Sequence, residues 1–148
     1  MAANTAPIFT LNGNINSVLV TAANTSSQGG GTIATDIFKA FTAEATNGSY
    51  ITKVRFIPTA TTPTTTTATV GRVFLSSITS GATTSADTWL LAEITLPAIA
   101  ADNASNASSF FDIPLNCAIP AGYTILVTNH AAPAANTAWR ATVLGGNY

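Results

Sequence analysis

Charged residues are scarce in this chain of 148 residues. Asp, Glu, Lys and Arg make up 7% of the sequence, whereas soluble domains typically contain about 25%. Five Lys and Arg stand against six Asp and Glu, which gives a formal net charge of −1. This balance excludes the basic surface that nucleic acids require and the polybasic segment that anchors proteins on anionic membranes. We therefore expect neither nucleic acid nor membrane among the partners.

Cysteines and long apolar segments are also lacking. The single cysteine, Cys117, excludes an internal disulfide and a thiolate metal cluster. No apolar run reaches the length of about 18 residues that a membrane-spanning helix needs. The first residues contain neither the positively charged nor the apolar region of a signal peptide. These absences predict a protein that is made in the cytoplasm and is not exported by a signal peptide.

Side chains that carry chemistry occur singly along the chain. His130 is the only histidine, and the six acidic residues are scattered without a closely spaced pair. Nucleophilic catalysis needs a base beside the nucleophile, and calcium sites need clustered acids. We therefore predict no catalytic residue, no cofactor and no metal site, and we expect Cys117 to be a small buried hydrophobe. An enzyme whose acids converge only in the folded chain is the least favoured alternative.

The sequence does contain repeated alternation of apolar and polar residues, broken by turn signals. Residues 36–57 predict a hairpin around Asn47-Gly48, since type I′ turns favour this pair. Further strands are predicted at 70–76, 89–96, 110–115, 123–130 and 138–144. About seven short strands at this spacing predict an all-β fold, either an antiparallel sandwich or a barrel.

The strand predicted at residues 89–96 has the clearest alternation. Its pattern places one row of side chains in the core (Leu90, Ala92, Ile94 and Leu96) and a second row on the other face (Trp89, Glu93 and Thr95). We expect Ile94→Asp to unfold the protein and Glu93→Ala to have little effect on folding. Trp89 would then pack on a second surface, stack on a sugar or fill a subunit interface.

The first 35 residues differ in composition from the remainder. They are rich in Asn, Thr, Ser and Gly, with apolar islands at 8–11 and 18–20. Asn12-Gly13-Asn14 allows a small hairpin between the islands, and residues 26–31 predict a flexible connector. We predict an extended N-terminal arm over residues 1–35 and a sandwich domain over residues 36–148. Ile8, Phe9 and Leu11 are the candidate anchor of that arm.

The low charge also predicts association. Charged surfaces keep monomers apart, and a net charge near zero promotes contact between copies. A surface of Thr, Ser and Asn with few charges is therefore typical of a protein that is covered by partner subunits. The alternative is an ordinary monomer with an unusual composition. The last residue, Tyr148, is a candidate anchor on a neighbouring subunit.

Short stretches from residue 41 to the chain end carry a resemblance to a known group of proteins. They are Phe41-Thr42-Ala43, Asn47-Gly48-Ser49, Ile51-Thr52-Lys53-Val54-Arg55, Arg72-Val73-Phe74-Leu75, Leu91-Ala92-Glu93-Ile94-Thr95-Leu96-Pro97, Ile113-Pro114-Leu115-Asn116, Pro120-Ala121-Gly122-Tyr123 and Gly145-Gly146-Asn147-Tyr148. With these stretches, residues 36–148 resemble a family of small virion-associated proteins of tailed bacteriophages. The chain is also similar in size and character to the capsid decoration (cement) proteins of such phages.

The resemblance implies a single antiparallel β-sandwich of jelly-roll type, often trimeric, on the outside of a phage head. It implies a non-enzymatic structural protein of the virion, made in the host cytoplasm, whose partners are the major capsid protein and two further copies of itself. The candidate contact residues are Ile8, Phe9, Leu11, Trp89 and Tyr148. The alternative is a glycan- or host-binding module of a phage tail or surface that stacks sugars on Trp89, Tyr50 or Tyr123.

Overall fold

The structure is a computed structural model, and it describes residues 10–101 and 109–148. In these ranges the chain forms twelve strands: β1 (Asn12–Val20), β2 (Gly31–Thr32), β3 (Phe38–Thr42), β4 (Ser49–Ala60), β5 (Thr64–Thr65), β6 (Thr69–Ser76), β7 (Ala82–Thr83), β8 (Thr88–Leu96), β9 (Ala100–Ala101), β10 (Phe111–Ile119), β11 (Thr124–Asn129) and β12 (Thr137–Asn147). No helix of the described residues is long and apolar enough to cross a membrane.

The strands form two four-stranded sheets and two short two-stranded ones. The first large sheet has the order β1-β12-β4-β10, and the second has the order β3-β11-β6-β8. The short strands pair as β2 with β7 and β5 with β9. All of these strand pairs are antiparallel. The prediction of an all-β fold built from antiparallel strands is confirmed.

Both large sheets contribute side chains to one hydrophobic core. Alternation along β4 turns Val54 and Phe56 inward and leaves Lys53 and Arg55 half-buried on the other face. Burial of each large apolar side chain stabilises the fold by about 1.5–3 kcal/mol. The fully buried residues of this core come from both sheets and include Val20, Ile51, Val54, Phe56, Val73, Leu96, Ile125, Val127, Ala141 and Val143.

A second, smaller core lies on the other face of the second sheet. Ile37, Phe74 and Leu126 are fully buried there, and Ile33 packs against them. The chain between β1 and β3, residues 21–37, covers this face, and we call it the covering segment. The backbone N–H of Asn24 donates to the Asn129 carbonyl at 2.7 Å. Every residue of the central strand β11 is therefore buried, including its polar ones.

The covering segment is fixed by hydrogen bonds, contrary to the flexible connector predicted at residues 26–31. β2 pairs with β7, and the Thr83 hydroxyl donates to the Gly29 carbonyl at 2.7 Å. Gly29 has a φ of 82°, and a Cβ at this position would lie 2.6 Å from Cγ2 of Thr88. The glycines here permit a close approach to the sheet.

The N-terminal part of the chain also differs from the predicted arm. β1 pairs with β12 over nine residues, from Asn12 to Val20, and Val20 is fully buried in the core. The arm prediction is therefore wrong for residues 12–35, and Ile8 and Phe9 lie outside the described residues. The turn signal at Asn12-Gly13-Asn14 makes no hairpin because the ladder with β12 runs straight through it.

The hairpin predicted at residues 36–57 is absent, because β3 and β4 belong to different sheets. Gly48 has the expected positive φ of 80°, but the turn takes the chain from the second sheet to the first. The carboxylate of Glu44 accepts the backbone N–H groups of Thr46 and Asn47, at 2.9 and 2.5 Å. These bonds stabilise the connection between the two sheets, and β4 pairs with β12 and β10 instead.

Candidate interaction surface

The strand β1 forms an exposed apolar edge of the first sheet. Val18 and Val20 face the core, so the alternate side chains face outward. Among these, Leu11 is 66%, Ile15 65% and Leu19 39% exposed. With about 3.4 Å per residue, this row extends over about 27 Å. We call this outward row (Leu11, Ile15 and Leu19), together with the residues beside it, the β1 edge.

Two cations lie near this row, and Arg140 shares its face. Arg140 on β12 is paired with Leu19, and its Nη1 donates to the Ser17 hydroxyl at 3.3 Å. Lys39 on β3 is exposed, and its Nζ donates to the Thr79 carbonyl at 3.1 Å. Lys39 pairs with Leu126 of the smaller core, so its side chain lies on the outer face of the second sheet and not on the face of the row. In the described part of the chain neither cation has an acidic partner within 4.0 Å. The β1 edge is therefore apolar, with positive charge from Arg140.

The strand β8 forms the corresponding edge of the second sheet. It lies on the opposite side of the molecule. Of the edge strands, β1 of the first sheet contacts β3 of the second, whereas β10 of the first sheet contacts β8 of the second. Trp89 is 42%, Leu90 39% and Leu91 38% exposed. Leu91 is the extra residue of a β-bulge, since Val73 pairs with Ala92 and Phe74 with Leu90. We call this surface the β8 edge.

The bulge corrects the predicted orientation of two side chains. Trp89 pairs with Leu75, which packs against the main core, whereas Leu90 pairs with Phe74 of the smaller core. Residues directly opposite each other in a sheet share a face. Trp89 therefore lies on the core-facing side of the second sheet and Leu90 on the other side, the reverse of the prediction. An extra residue shifts the alternation by one position.

Trp89 packs on a second aromatic ring at the end of the main core. The ring centroids of Trp89 and Tyr123 are 6.3 Å apart with an angle of 16° between the planes. Offset stacking at this distance is a favourable aromatic arrangement. Because 42% of Trp89 stays exposed, the residue combines a packing role with an accessible surface.

Two acids lie on or next to β8. The Glu93 side chain is 43% exposed, and its Oε1 accepts a hydrogen bond from Nε of Arg72 at 2.5 Å. Asp87 directly precedes the strand and accepts the backbone N–H of Thr84 at 2.9 Å and the Thr84 hydroxyl at 2.7 Å. These bonds lower the pKa of Asp87, the backbone N–H most. Arg72 offsets the charge of Glu93, so Asp87 supplies the negative charge of this apolar edge.

A buried cation connects the β8 edge to the covering segment. The Arg72 side chain is 8% exposed. Its Nη1 donates to the carbonyl of Asn24 at 3.3 Å, and both terminal nitrogens lie 3.3 Å from Nδ1 of the exposed His130. His130 therefore lies next to the positively charged guanidinium of Arg72.

A third polar cluster lies on the outward face of the first sheet. Asp112 accepts hydrogen bonds from Arg55 at 2.7 and 2.9 Å and from Lys53 at 2.7 Å. The Arg55 bonds, followed by those of Lys53, hold the pKa of Asp112 well below its usual range. The Arg55 guanidinium also lies 4.0 Å from the ring centre of Phe110, a cation–π contact.

Groups that bind metals do not converge in the described ranges. No three His, Cys, Asp or Glu residues between 10 and 101 or between 109 and 148 are placed to hold a metal ion. Cys117 is half-buried against the main core, and burial raises the pKa of its thiol.

The structure brings together some of the predicted contact residues. The backbone N–H of Leu11 donates to the carbonyl of Asn147 at 2.8 Å, which places Leu11 next to the end of β12 and Tyr148. Tyr148 is half-buried, and its backbone N–H donates to the Gly48 carbonyl at 3.3 Å. Trp89 lies at the other edge. The prediction missed Ile15 and Leu19, although a four-residue apolar repeat from Leu11 marks them. It also missed Leu90, Leu91 and Phe110 as exposed apolar residues.

No family model matches the chain, and neither the curated proteins nor the solved structures include a match to it. The fold and the two edges are therefore the observations that bear on function.

Proposed function

We propose that this protein is a structural component of a bacteriophage virion, a decoration protein that binds the outside of the head and stabilises it. Its partners are the major capsid protein and two further copies of itself. It carries out no catalysis. The observation that carries this proposal is the order of the strands.

The eight long strands, counted along the chain, pair in a nested way. The first pairs with the eighth, the third with the sixth, the second with the seventh and the fourth with the fifth. This is the pairing of one long hairpin ribbon with four strands in each arm. Two further pairs, third with eighth and fourth with seventh, join the ribbon to itself when it is wrapped around a core. We assign this wrapped ribbon to the jelly rolls, the eight-stranded folds that viral capsid and lectin domains use.

The surface supports the structural role. Large apolar side chains such as Ile15 and Trp89 are exposed along two strands, and only 7% of the residues are charged. Contiguous exposed apolar patches mark sites of interaction with other proteins. A protein that remains on a symmetric shell uses such patches for its neighbours.

The experiment compares virions made with and without the protein. We expect particles lacking it to release their DNA at a lower temperature, and purified protein added back to restore the release temperature. Immunogold labelling should place the protein on the head exterior, at a copy number set by the shell symmetry. The matched control is the same protein unfolded by heat, which should not restore stability. Its absence from purified virions, or labelling of the tail alone, would contradict the proposal.

A second candidate function is glycan binding, which is favoured by the stack of Trp89 on Tyr123 at the β8 edge. An exposed tryptophan face stacks well on a sugar ring. Tyr50 lies on β4 in the other sheet and is not part of this pair. A glycan array should then give signals that Trp89→Ala abolishes and Phe110→Ala leaves intact. No signal above background with the wild-type protein would exclude this candidate.

A further inference from the structure

We propose that copies of this protein associate head to tail, with the β1 edge of one copy against the β8 edge of the next. The proposal rests on the self-association included in the proposed function, and it names the two surfaces that meet. A contact between two different surfaces continues around a ring when the rotation closes.

The distribution of exposed apolar side chains supports this pairing. Seven large hydrophobic residues of the described chain are exposed, and all but Phe110 lie on the two edges. Three of the six lie along β1, and the other three are consecutive residues of β8. Two apolar surfaces on opposite sides of one molecule are both covered if each contacts the other in a neighbouring copy. The residues are Leu11, Ile15 and Leu19 on one edge, and Trp89, Leu90 and Leu91 on the other.

The charges indicate whether an edge contacts the same edge or the other edge of a neighbouring copy. The β1 edge carries Arg140, which has no acidic partner among the described residues. The β8 edge carries Asp87, whereas the charge of Glu93 is offset by Arg72. A contact between two β1 edges would bring two Arg140 residues together, and a contact between two β8 edges would bring two Asp87 residues together. Such like-charge contacts are unfavourable, whereas unlike edges are complementary. The contact is therefore between different surfaces.

The β-bulge defines how the edges meet. An edge strand presents unpaired backbone groups, and a bulge disrupts their regular spacing. Leu91 interrupts the ladder in the middle of β8, so a continuous strand-to-strand ladder with a neighbour is disfavoured. Side chains therefore carry the contact.

The experiment uses two variants that each disable one edge. Ile15→Asp places an acid on the edge that should meet acids, and Leu90→Lys places a cation on the edge that should meet cations. Both positions are exposed, and circular dichroism melts will verify that both variants fold. Phe110→Gln removes an exposed apolar side chain outside the two edges and is the matched control. The mass of each protein is measured by sedimentation velocity at micromolar concentration.

We expect the wild-type protein and Phe110→Gln to sediment at about three times the chain mass of 15.0 kDa. Each edge variant alone should fall about threefold in mass, to the monomer. An equimolar mixture of the two variants should associate again, because the intact β1 edge of one meets the intact β8 edge of the other. The smallest such species has twice the chain mass and contains one copy of each variant.

Three results would overturn the head-to-tail contact: a monomeric wild-type protein, an edge variant that assembles normally by itself, or a mixture that stays monomeric. Binding to purified phage heads is measured in parallel. A monomer that binds heads would refute this contact and the self-association, and would leave the decoration of the head standing. An assembled protein that is absent from virions would refute the proposed function and leave the contact standing.

Discussion

Removal of the Glu93 carboxylate tests how the buried cation Arg72 is accommodated. The alternation of β8 alone predicts that Glu93 is exposed and that Glu93→Ala has little effect. In the structure Glu93 forms the one ion pair of Arg72 within the described residues, at 2.5 Å, and the Arg72 side chain is 8% exposed. Truncation of Glu93 leaves a mostly buried guanidinium without an acid. We therefore expect Glu93→Ala to destabilise the protein.

The loss in the free energy of unfolding caused by Glu93→Ala lies between two limits. Exposed ion pairs contribute about 0–1 kcal/mol, whereas breaking a fully buried pair by removing one partner costs about 3–5 kcal/mol. Arg72 is buried but the Glu93 side chain is 43% exposed, and Arg72 retains its bond to the Asn24 carbonyl. We expect a loss of about 2 kcal/mol in the free energy of unfolding. For a domain of this size the corresponding drop in Tm is about 4–8 °C.

The assay is urea unfolding together with a thermal melt, both followed by circular dichroism. Thr95→Ala is the matched control, because Thr95 is exposed on the same face of β8 and no acid is removed. The double variant Arg72→Met/Glu93→Ala should lose less than the sum of its single variants, since removing both charges leaves no buried ion alone. If Glu93→Ala costs no more than Thr95→Ala, the reasoning about the buried cation is wrong.

Three further predictions concern the strand β1, one glycine and three acidic residues. Deletion of residues 1–20 should abolish the cooperative melt, because it removes β1 and the buried Val20. Gly48→Ala should destabilise the protein by more than Gly81→Ala in urea unfolding. Both glycines have φ near +80°, but a Cβ at Gly48 would clash with the Ile119 carbonyl oxygen, and one at Gly81 meets nothing within 4 Å. The pKa values of Asp112, Asp87 and Glu44 are all lowered by hydrogen bonds to the charged forms. A lowered pKa gives stability that is complete above the unfolded-state value of about 4 and is lost as the pH falls. Tm should therefore be level from pH 7 to 5 and fall below pH 4, and Asp112→Asn should fall less steeply; a flat profile down to pH 2 would contradict this.

The strands that sequence reasoning located best are those with local alternation and a clear end. The predicted strand at 70–76 appears as Thr69–Ser76, and the one at 138–144 as Thr137–Asn147. Alternation reports burial of one face, which is a local property of the strand. It does not tell which strand lies beside it in the sheet. The hairpin predicted around Asn47-Gly48 was therefore wrong, even though both flanking segments are strands.

The regions that sequence reasoning missed are those where long-range contacts decide the local structure. β1 contains three Asn residues and a Gly, which disfavour strands; its pairing with β12, more than a hundred residues away, overrides that preference. The covering segment is mostly polar, and it is held on the sheet by hydrogen bonds to backbone groups together with the packing of Ile33 and Ile37. At the β8 edge, Leu90 and Leu91 are equally apolar, so the alternation alone does not locate the bulge that reverses Trp89.

The exposed apolar residues were predicted only in part, for a related reason. A hydrophobic residue in a strand is expected in the core, and its exposure follows from which face the neighbouring strands occupy. Ile15 and Val20 are both apolar residues of one strand, yet Ile15 is 65% exposed and Val20 is fully buried. Alternation places the two residues on opposite faces of β1, and the packing of the two sheets decides which face is the core.

The strand β1 therefore contributes both to the fold and to the proposed contact between copies. The inward face of β1 contributes Val18 and Val20 to the main core, and the strand completes the first sheet by pairing along β12. Its outward face presents Ile15 and Leu19 to the exterior. A surface with few charges would promote indiscriminate association. In the proposed head-to-tail contact, the unlike charges at the two edges, Arg140 on one and Asp87 on the other, favour one relative orientation of neighbouring copies over the others. Under this proposal, scarce charge gives the tendency to associate, and the placement of the few charges gives the association its direction.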